Sequence, residues 1–225
     1  AGINPINIAL TSTVDASKSF VYCNAQYGNS SANRVITCQL ADTGSEVIIQ
    51  AGAANAGTVV NWYVVEFSRG ALVQRGGNTM LATESSNTIT LSNSVDLSRT
   101  FIIANSRINS GSNNSDERRT LRYRMLSTNS FEVYRNETGT SVSYEWQVIQ
   151  LDGGRVQSGQ NTIASGSNSI SATISSVTLN NSFIIFNLAA GSGVNGAETD
   201  YYVRASYSSA TQVTFTRTGN SDTVD

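Results

Sequence analysis

Histidine is absent from the 225 residues of this chain. Its absence removes the commonest metal ligand and the commonest general base of enzymes. A Ser-His-Asp or Cys-His site therefore cannot be built. The chain also lacks a G-x-x-x-x-G-K phosphate loop and a D-x-D-x-D-G calcium loop. We expect no catalytic, cofactor-binding or metal-binding residues, and we predict that the protein is not an enzyme.

Charged residues are scarce, at 13% of the chain with a formal net charge of −2, whereas about 25% is typical. The basic stripe of a nucleic-acid-binding protein is missing, so we expect no nucleic-acid partner. The apolar runs are far shorter than a membrane span, so we expect no membrane insertion. A low-charge composition rich in Ser, Thr and Asn is typical of exported and virion-surface proteins. We therefore expect an extracellular or virion-surface location.

Proline occurs once, and no long helical pattern is present. Strict alternation of apolar and polar residues dominates instead, as in strands with one buried face. Gly, Asn and Ser separate these segments, and they are the residues that turns require. The sequence therefore predicts an all-β fold of tandem antiparallel β-sandwich units.

The two cysteines, Cys23 and Cys38, both lie in strand-like segments. If the two strands are neighbours, a disulfide between them is geometrically feasible. The alternative is a pair of free buried thiols, which a reducing compartment would maintain. We favour the disulfide because the rest of the composition is typical of an extracellular protein.

An internal repeat is visible when residues 8–22, 89–103 and 170–185 are aligned. Each copy reads as a strand, a polar corner and a second strand that a phenylalanine opens. Phe101 follows Phe20 by 81 residues, and Phe183 follows Phe101 by 82. We predict that these three phenylalanines are core or junction residues, because apolar side chains at fixed spacing usually pack.

The only two tryptophans, Trp62 and Trp146, lie in a second repeated stretch that covers residues 60–76 and 143–159. In both copies alternating apolar residues follow the tryptophan, a glycine comes eight residues after it, and Val-Gln-x-Gly closes the stretch. The pattern predicts a strand, a tight turn and a second strand, which is a β-hairpin. We predict that both tryptophans are core and junction residues and not ligand platforms.

Three copies of the first motif meet only two copies of the tryptophan stretch. We divide the chain into a first unit at 1–84, a second at 85–166 and an incomplete third at 167–225. Units that start near residues 59 and 141 are an alternative division. In either case some strands lack partners, so we expect strands to be shared within the chain or between chains by β-augmentation. The candidate donor strand is the segment with Ile3, Ile6 and Ile8.

The order of segments in the second unit resembles two groups of known proteins. Residues 95–103, 122–126, 130–135 and 144–149 resemble the small β-sandwich of H-type lectins. They are also similar to repeats in tail and decoration surface proteins of tailed bacteriophages. The lectin resemblance implies trimers and sugar recognition, and the phage resemblance implies a role on the virion. Both imply an exposed protein without catalytic activity.

The leading functional prediction is a structural surface protein that self-associates, as a virion decoration or tail protein or as an extracellular filament subunit. Its expected partners are other copies of itself or a viral or filament scaffold. The alternative is a lectin-like adhesin that binds carbohydrate, with a glycan as its partner. The two predictions differ in that a lectin should bind sugars as a discrete oligomer.

Overall fold

The computed structural model describes residues 5–26, 36–51, 59–109, 120–191 and 202–225. The fold is all-β, as the sequence predicts, and its sheets are antiparallel. The strands form where β-branched and aromatic residues alternate with polar ones, because that pattern lets one face be buried. In chain order they are β1 (Ile6–Ala9), β2 (Ser19–Gln26), β3 (Ile36–Leu40), β4 (Glu46–Ala51), β5 (Val59–Glu66), β6 (Ala71–Met80), β7 (Ser86–Thr90), β8 (Thr100–Ile108), β9 (Arg122–Ser127), β10 (Ser130–Tyr134), β11 (Val142–Leu151), β12 (Ser169–Thr173), β13 (Arg204–Ser209) and β14 (Gln212–Thr216).

The first sandwich packs the sheet β1-β4-β3 against the strand pair β2-β5. Its core contains Val21 from β2, Leu40 from β3 and Val47 from β4, with Trp62 of β5 packed against them. The Cys23–Cys38 disulfide links β2 to β3 with the Cα atoms 6.5 Å apart, which confirms the predicted pairing. The bridge therefore joins the two layers of this sandwich.

The second sandwich packs the sheet β6-β11-β8 against the sheet β7-β10-β9. Trp146 of β11 and Phe131 of β10 meet edge to face in its core, with ring centroids 5.1 Å apart. Both side chains are buried, as are Tyr144 and Val148 of β11. Such aromatic pairs stabilise a core beyond the area that they bury.

The last part of the chain contains the sheet β12-β14-β13, which has the same strand order as β7-β10-β9. Its middle strand contributes the buried Val213. Phe215 from the same strand contacts Phe186, with ring centroids 5.9 Å apart. We call this part the third sheet, since no second sheet of named strands covers it within the described residues.

The phenylalanines at the repeat spacing do not enter the cores, so that part of the prediction is wrong. Phe101 and Phe183 instead contact each other between the second sandwich and the last part of the chain. Phe20 and Phe101 are half-buried on the outer faces of β2 and β8, and Phe183 is 68% exposed. Successive side chains of a strand point to opposite faces. Val21 and Ile102, which follow the first two phenylalanines, occupy the inward positions and pack in the cores.

The N-terminal segment does not act as a donor strand in this structure. Ile6 and Ile8 lie in β1, where they pair with Ile49 and Val47 of β4 in the same chain. The backbone of this segment is therefore already satisfied by its own sheet. Ile3, the remaining residue of the predicted donor, lies outside the described residues.

Both predicted tryptophan hairpins are wrong. In the second copy, where the structure describes every residue from 152 to 168, no strand follows β11 until β12 begins at Ser169. In the first copy the two strands belong to different sheets. Strand β5 pairs with β2 in the first sandwich, whereas β6 pairs with β11 over its whole length in the second. The turn between them contains Gly70 at φ 70°, and the Gly70 carbonyl accepts a hydrogen bond from the Asp152 N–H. Gly76 lies opposite Trp146, where a Cβ atom would approach the indole ring to 2.7 Å. The second sandwich thus takes one strand from the range 1–84.

A polar corner precedes β2 and β8, and an aspartate forms each corner in the same way. The Asp15 carboxylate accepts a hydrogen bond from the Ser17 N–H at 3.0 Å, and Asp96 accepts one from Ser98 at 2.9 Å. Thr178 takes this position in the third part of the chain and makes no such side-chain bond. The aspartates therefore serve a turn and not a metal site.

Replacing Lys18 by methionine should raise the pKa of Asp15. The Lys18 ammonium, 2.8 Å from the carboxylate, and the Ser17 hydroxyl hold this pKa at about 2, below its ordinary 3.8. A depressed carboxyl pKa stabilises the fold above the unfolded value, and that stabilisation is lost as pH falls from about 3.8 to about 2. An NMR titration should show the shift towards 3.8 in Lys18→Met and no change for Asp96. An unchanged Asp15 pKa would contradict the assignment.

Candidate interaction surfaces

The outer face of the β2-β5 pair carries apolar side chains that nothing in the described structure covers. In β5, Val60, Trp62 and Val64 point into the first core. The residues between them point outward, and Val59, Tyr63 and Val65 are 55%, 59% and 37% exposed. Tyr22 lies directly opposite Tyr63 on β2 and is also exposed. We call these outward residues of β2 and β5 the open face.

The same face of the second sandwich is covered. Strand β11 takes the place of β5, and its outward residues Ser143, Gln147 and Ile149 are only 8%, 3% and 0% exposed. When Trp146 is aligned with Trp62, Gln147 corresponds to Tyr63. In the same alignment Ile149 corresponds to Val65. The two faces therefore differ in what covers them.

The first sandwich covers this face of the second, and the contacts are made to its strand edges. The Gln147 side chain brackets the backbone of Val21 in β2: its oxygen accepts from the N–H and its nitrogen donates to the carbonyl, both at 2.8 Å. The Asn105 side-chain oxygen accepts from the Cys38 N–H of β3 at 2.9 Å. These amides satisfy edge groups that would otherwise be open to another strand.

Arginine side chains from the second sandwich reinforce the same junction. Arg75 of β6 donates to the carbonyls of Ala16 and Ser19, just before and at the start of β2. Arg107 of β8 donates to the side-chain oxygen of Gln50 in β4. Hydrogen bonds from charged donors are stronger than neutral ones, so the junction is a specific contact and not only an apolar one.

A second junction joins the last part of the chain to the second sandwich. The Asn187 side-chain oxygen accepts from the Tyr123 N–H of β9 at 2.8 Å. Phe183 meets Phe101 edge to face, with ring centroids 6.1 Å apart. The Ala190 N–H donates to the Thr120 hydroxyl at 2.9 Å. Residues 183–190 thus cover the edge strand β9 as β8 covers β3.

The segment of residues 183–190 is nevertheless only partly covered. Phe183, Ile185 and Phe186 are all exposed. Val224 bridges Ile163 on one flank and Ala190 on the other, as Val142 at the start of β11 pairs with Met80 and Ile108.

A polar cavity of about 380 Å³ at the first junction contains one carboxylate, that of Glu145. Burial raises the pKa of Glu145, and the positive charge of Arg107 opposes the shift. Burial likewise lowers the pKa of Arg107, and the Glu145 charge opposes that shift. Glycoside hydrolysis requires two carboxylates, and the described lining supplies only one.

A second cavity, of about 360 Å³, lies where the three parts of the chain meet. Its lining includes Ala25 from β2, Tyr123 from β9 and Leu188. Burial raises the pKa of Tyr123 well above its ordinary value, and the neighbouring Tyr144 and Glu145 add to the shift. The Tyr123 ring packs edge to face against that of Tyr144, with ring centroids 6.1 Å apart. Among the described residues, no three His, Cys, Asp or Glu side chains cluster as a metal site would require.

The polar residues that form the junctions were not predicted from the sequence, although one signal was present. Asn24, Asn105 and Asn187 are separated by 81 and 82 residues, the spacing of the phenylalanines. Arg135 and Arg217 are likewise separated by 82 residues, and both are buried. Two of the recurring asparagines, Asn105 and Asn187, make junction hydrogen bonds.

No protein family, curated protein or solved structure matches this chain. The resemblance to lectins and to phage surface proteins therefore stays a prediction. No helix in the described ranges is long and apolar enough to cross a bilayer. The disulfide is compatible with an extracellular or secreted protein, because disulfides persist in oxidising environments.

Proposed function

We propose that this chain is a noncatalytic structural protein that self-associates on the outside of a virion or a cell. It serves as a decoration or tail protein in the first case and as a filament subunit in the second. One observation carries the proposal: the open face is exposed at Val59, Tyr63 and Val65, whereas the corresponding face of β11 is covered. Apolar sheet faces of this kind mark interaction sites in soluble proteins.

Three further features support the proposal. The exposed residues lie on regular strands, which hold a docking surface rigid and so lower the entropy lost on association. The absence of histidine and the single carboxylate of the polar cavity argue against catalysis. The disulfide fits an extracellular location.

The Tyr63→Ser variant should associate about tenfold or more weakly than the wild type, because burying such a side chain contributes roughly 1.5–3 kcal/mol. Light scattering on a size-exclusion column, with electron microscopy of the same samples, measures the assembly. Leu81→Ser is the matched control, since Leu81 is 56% exposed but lies outside the open face.

A wild-type chain that stays monomeric at high concentration would contradict the proposed function. A discrete oligomer that binds sugars on a glycan array would instead support the lectin prediction. Ordered assemblies that ignore sugars and weaken with Tyr63→Ser would support the structural role.

A further inference from the structure

One hydrogen bond recurs at both junctions inside the chain. Asn105 of β8 accepts from the Cys38 N–H of β3, and Asn187 accepts from the Tyr123 N–H of β9. Strands β3 and β9 hold the same edge position in sheets of the same order, β1-β4-β3 and β7-β10-β9. Each junction therefore places an outward asparagine on the free backbone edge of the preceding part of the chain.

Strand β13 holds this edge position in the third sheet, β12-β14-β13. The Arg217 N–H donates to the Asn168 carbonyl, on the β12 side of β14. Because successive N–H groups alternate in direction, the Phe215 N–H also points towards β12. Ala205 pairs with Phe215 and must therefore be in a non-hydrogen-bonded pair. Its N–H points away from β14, as that of Tyr123 points away from β10.

The edge of β13 differs from the two internal edges in that nothing described covers it. Strand β3 is almost wholly buried, including Cys38, and β9 contains the buried Tyr123. Strand β13 contains no buried residue. An edge strand whose N–H groups point away from its own sheet is a template for docking.

The matching asparagine is present on the open face. Asn24 lies on β2, precedes Asn105 by 81 residues, and points outward beside Tyr22 and Tyr63. Its side chain is exposed, whereas those of Asn105 and Asn187 are engaged. One chain thus exposes both surfaces of such a junction. The open face has the Asn24 side chain, and the β13 edge has the Ala205 N–H.

We infer that the open face of one copy docks on the β13 edge of a second copy, where the Asn24 side chain accepts a hydrogen bond from the Ala205 N–H. The inference rests on the proposed self-association and identifies its two surfaces. A second copy is the occupant because both halves of this contact are on one chain and match the two internal junctions. Since face and edge are different surfaces, the contact is heterologous, and each added copy leaves the same two surfaces open.

A mixing experiment tests this head-to-tail contact. Tyr63→Asp disables the face, and Ala205→Pro removes the edge N–H without removing a ladder bond, which an edge strand tolerates. We expect each variant alone to remain monomeric. Their equimolar mixture should form a dimer and nothing larger, because the intact edge of one variant binds the intact face of the other. Light scattering and native mass spectrometry measure the product.

Further variants distinguish the loss of the contact from the loss of the fold. Ala205→Ser keeps the N–H and should assemble as the wild type does. Asn24→Leu removes the acceptor and should weaken assembly about fivefold to tenfold. Asn180→Leu should leave assembly unchanged, because Asn180 is exposed but lies outside both the open face and β13. Asn24→Leu keeps the edge intact, so it tests the contact even if Ala205→Pro does not fold.

The outcomes separate the inference from the proposed function. If the wild type never associates, both are wrong. If Tyr63→Asp blocks assembly but Ala205→Pro and Asn24→Leu assemble normally, the open face binds another surface, and only the head-to-tail contact is overturned. If the mixture stays monomeric although both variants are folded, the head-to-tail contact is overturned as well.

Discussion

Replacing Arg135 by methionine should lower the free energy of unfolding of the second sandwich by about 4 kcal/mol. Arg135 is fully buried, and its guanidinium donates to the carbonyls of Glu84, Thr140 and Leu81 at 2.9, 2.6 and 2.6 Å. Two of these carbonyls belong to the connection between β6 and β7, and the third precedes β11. Methionine keeps most of the stem but removes the guanidinium donors. The Leu81 carbonyl keeps a hydrogen bond from the Glu84 N–H, whereas the Glu84 and Thr140 carbonyls lose their guanidinium partner, which is costly.

Urea unfolding monitored by fluorescence measures this effect. A Trp62→Phe background leaves Trp146 as the only tryptophan, so the signal reports the second sandwich. Arg124→Met is the control, because Arg124 is 47% exposed on β9 and its surface ion pair with Glu132 contributes little. A loss of no more than about 1 kcal/mol in Arg135→Met would show that the buried guanidinium does not hold these segments.

Removing the disulfide should lower the free energy of unfolding of the first sandwich by about 3 kcal/mol. Cys23 and Cys38 are 15 residues apart, and closing a loop of this size restricts the unfolded chain. The Cys23→Ala/Cys38→Ala variant, in a Trp146→Phe background where Trp62 reports the first sandwich, measures the loss. The wild type with dithiothreitol should unfold at a similarly lowered urea concentration.

The disulfide also contacts the first junction, which gives its removal a second effect. The Asn105 side chain accepts from the Cys38 N–H and donates to the Cys38 sulfur. We therefore expect the double variant to loosen the edge of β3 where the second sandwich docks. Hydrogen exchange of the Cys38-position amide should accelerate more than that of Val133 in β10. If each amide exchanges at the same rate in the variant as in the wild type, the disulfide does not stabilise the first junction.

The strands could be predicted from the sequence because alternation is a local signal. In β10 the apolar Phe131 and Val133 alternate with polar neighbours, and both side chains are fully buried. The same signal does not identify the partner of a strand. Two strands joined by a short turn usually pair, but β6 pairs with β11 and not with β5. The choice depends on long-range packing, such as Gly76 against Trp146.

The candidate surfaces were less predictable for a related reason. Phe101 is conspicuous in the repeat, but successive side chains of a strand point to opposite faces. Phe101 therefore points outward, and Ile102 packs in the core. The junctions depend on amides such as Asn105 and Gln147, whose partners are backbone groups. Backbone partners leave no signature in the sequence, so only the recurrence of asparagine at the repeat spacing could have indicated them.

The placement of β5 and β6 in different sheets has a consequence for the order in which the protein folds. All five strands of the first sandwich precede residue 67, so this sandwich can close while later residues are still being synthesised. Strand β6 cannot pair until its partner β11 has been synthesised, because Ala71 at the start of β6 pairs with Leu151 at the end of β11. Closing so long a segment is entropically costly and slow. Until β11 is synthesised, β6 has no partner strand, and only four residues separate it from the folded first sandwich. It is therefore close to the β2 edge, to which Arg75 of β6 donates a hydrogen bond in the native structure.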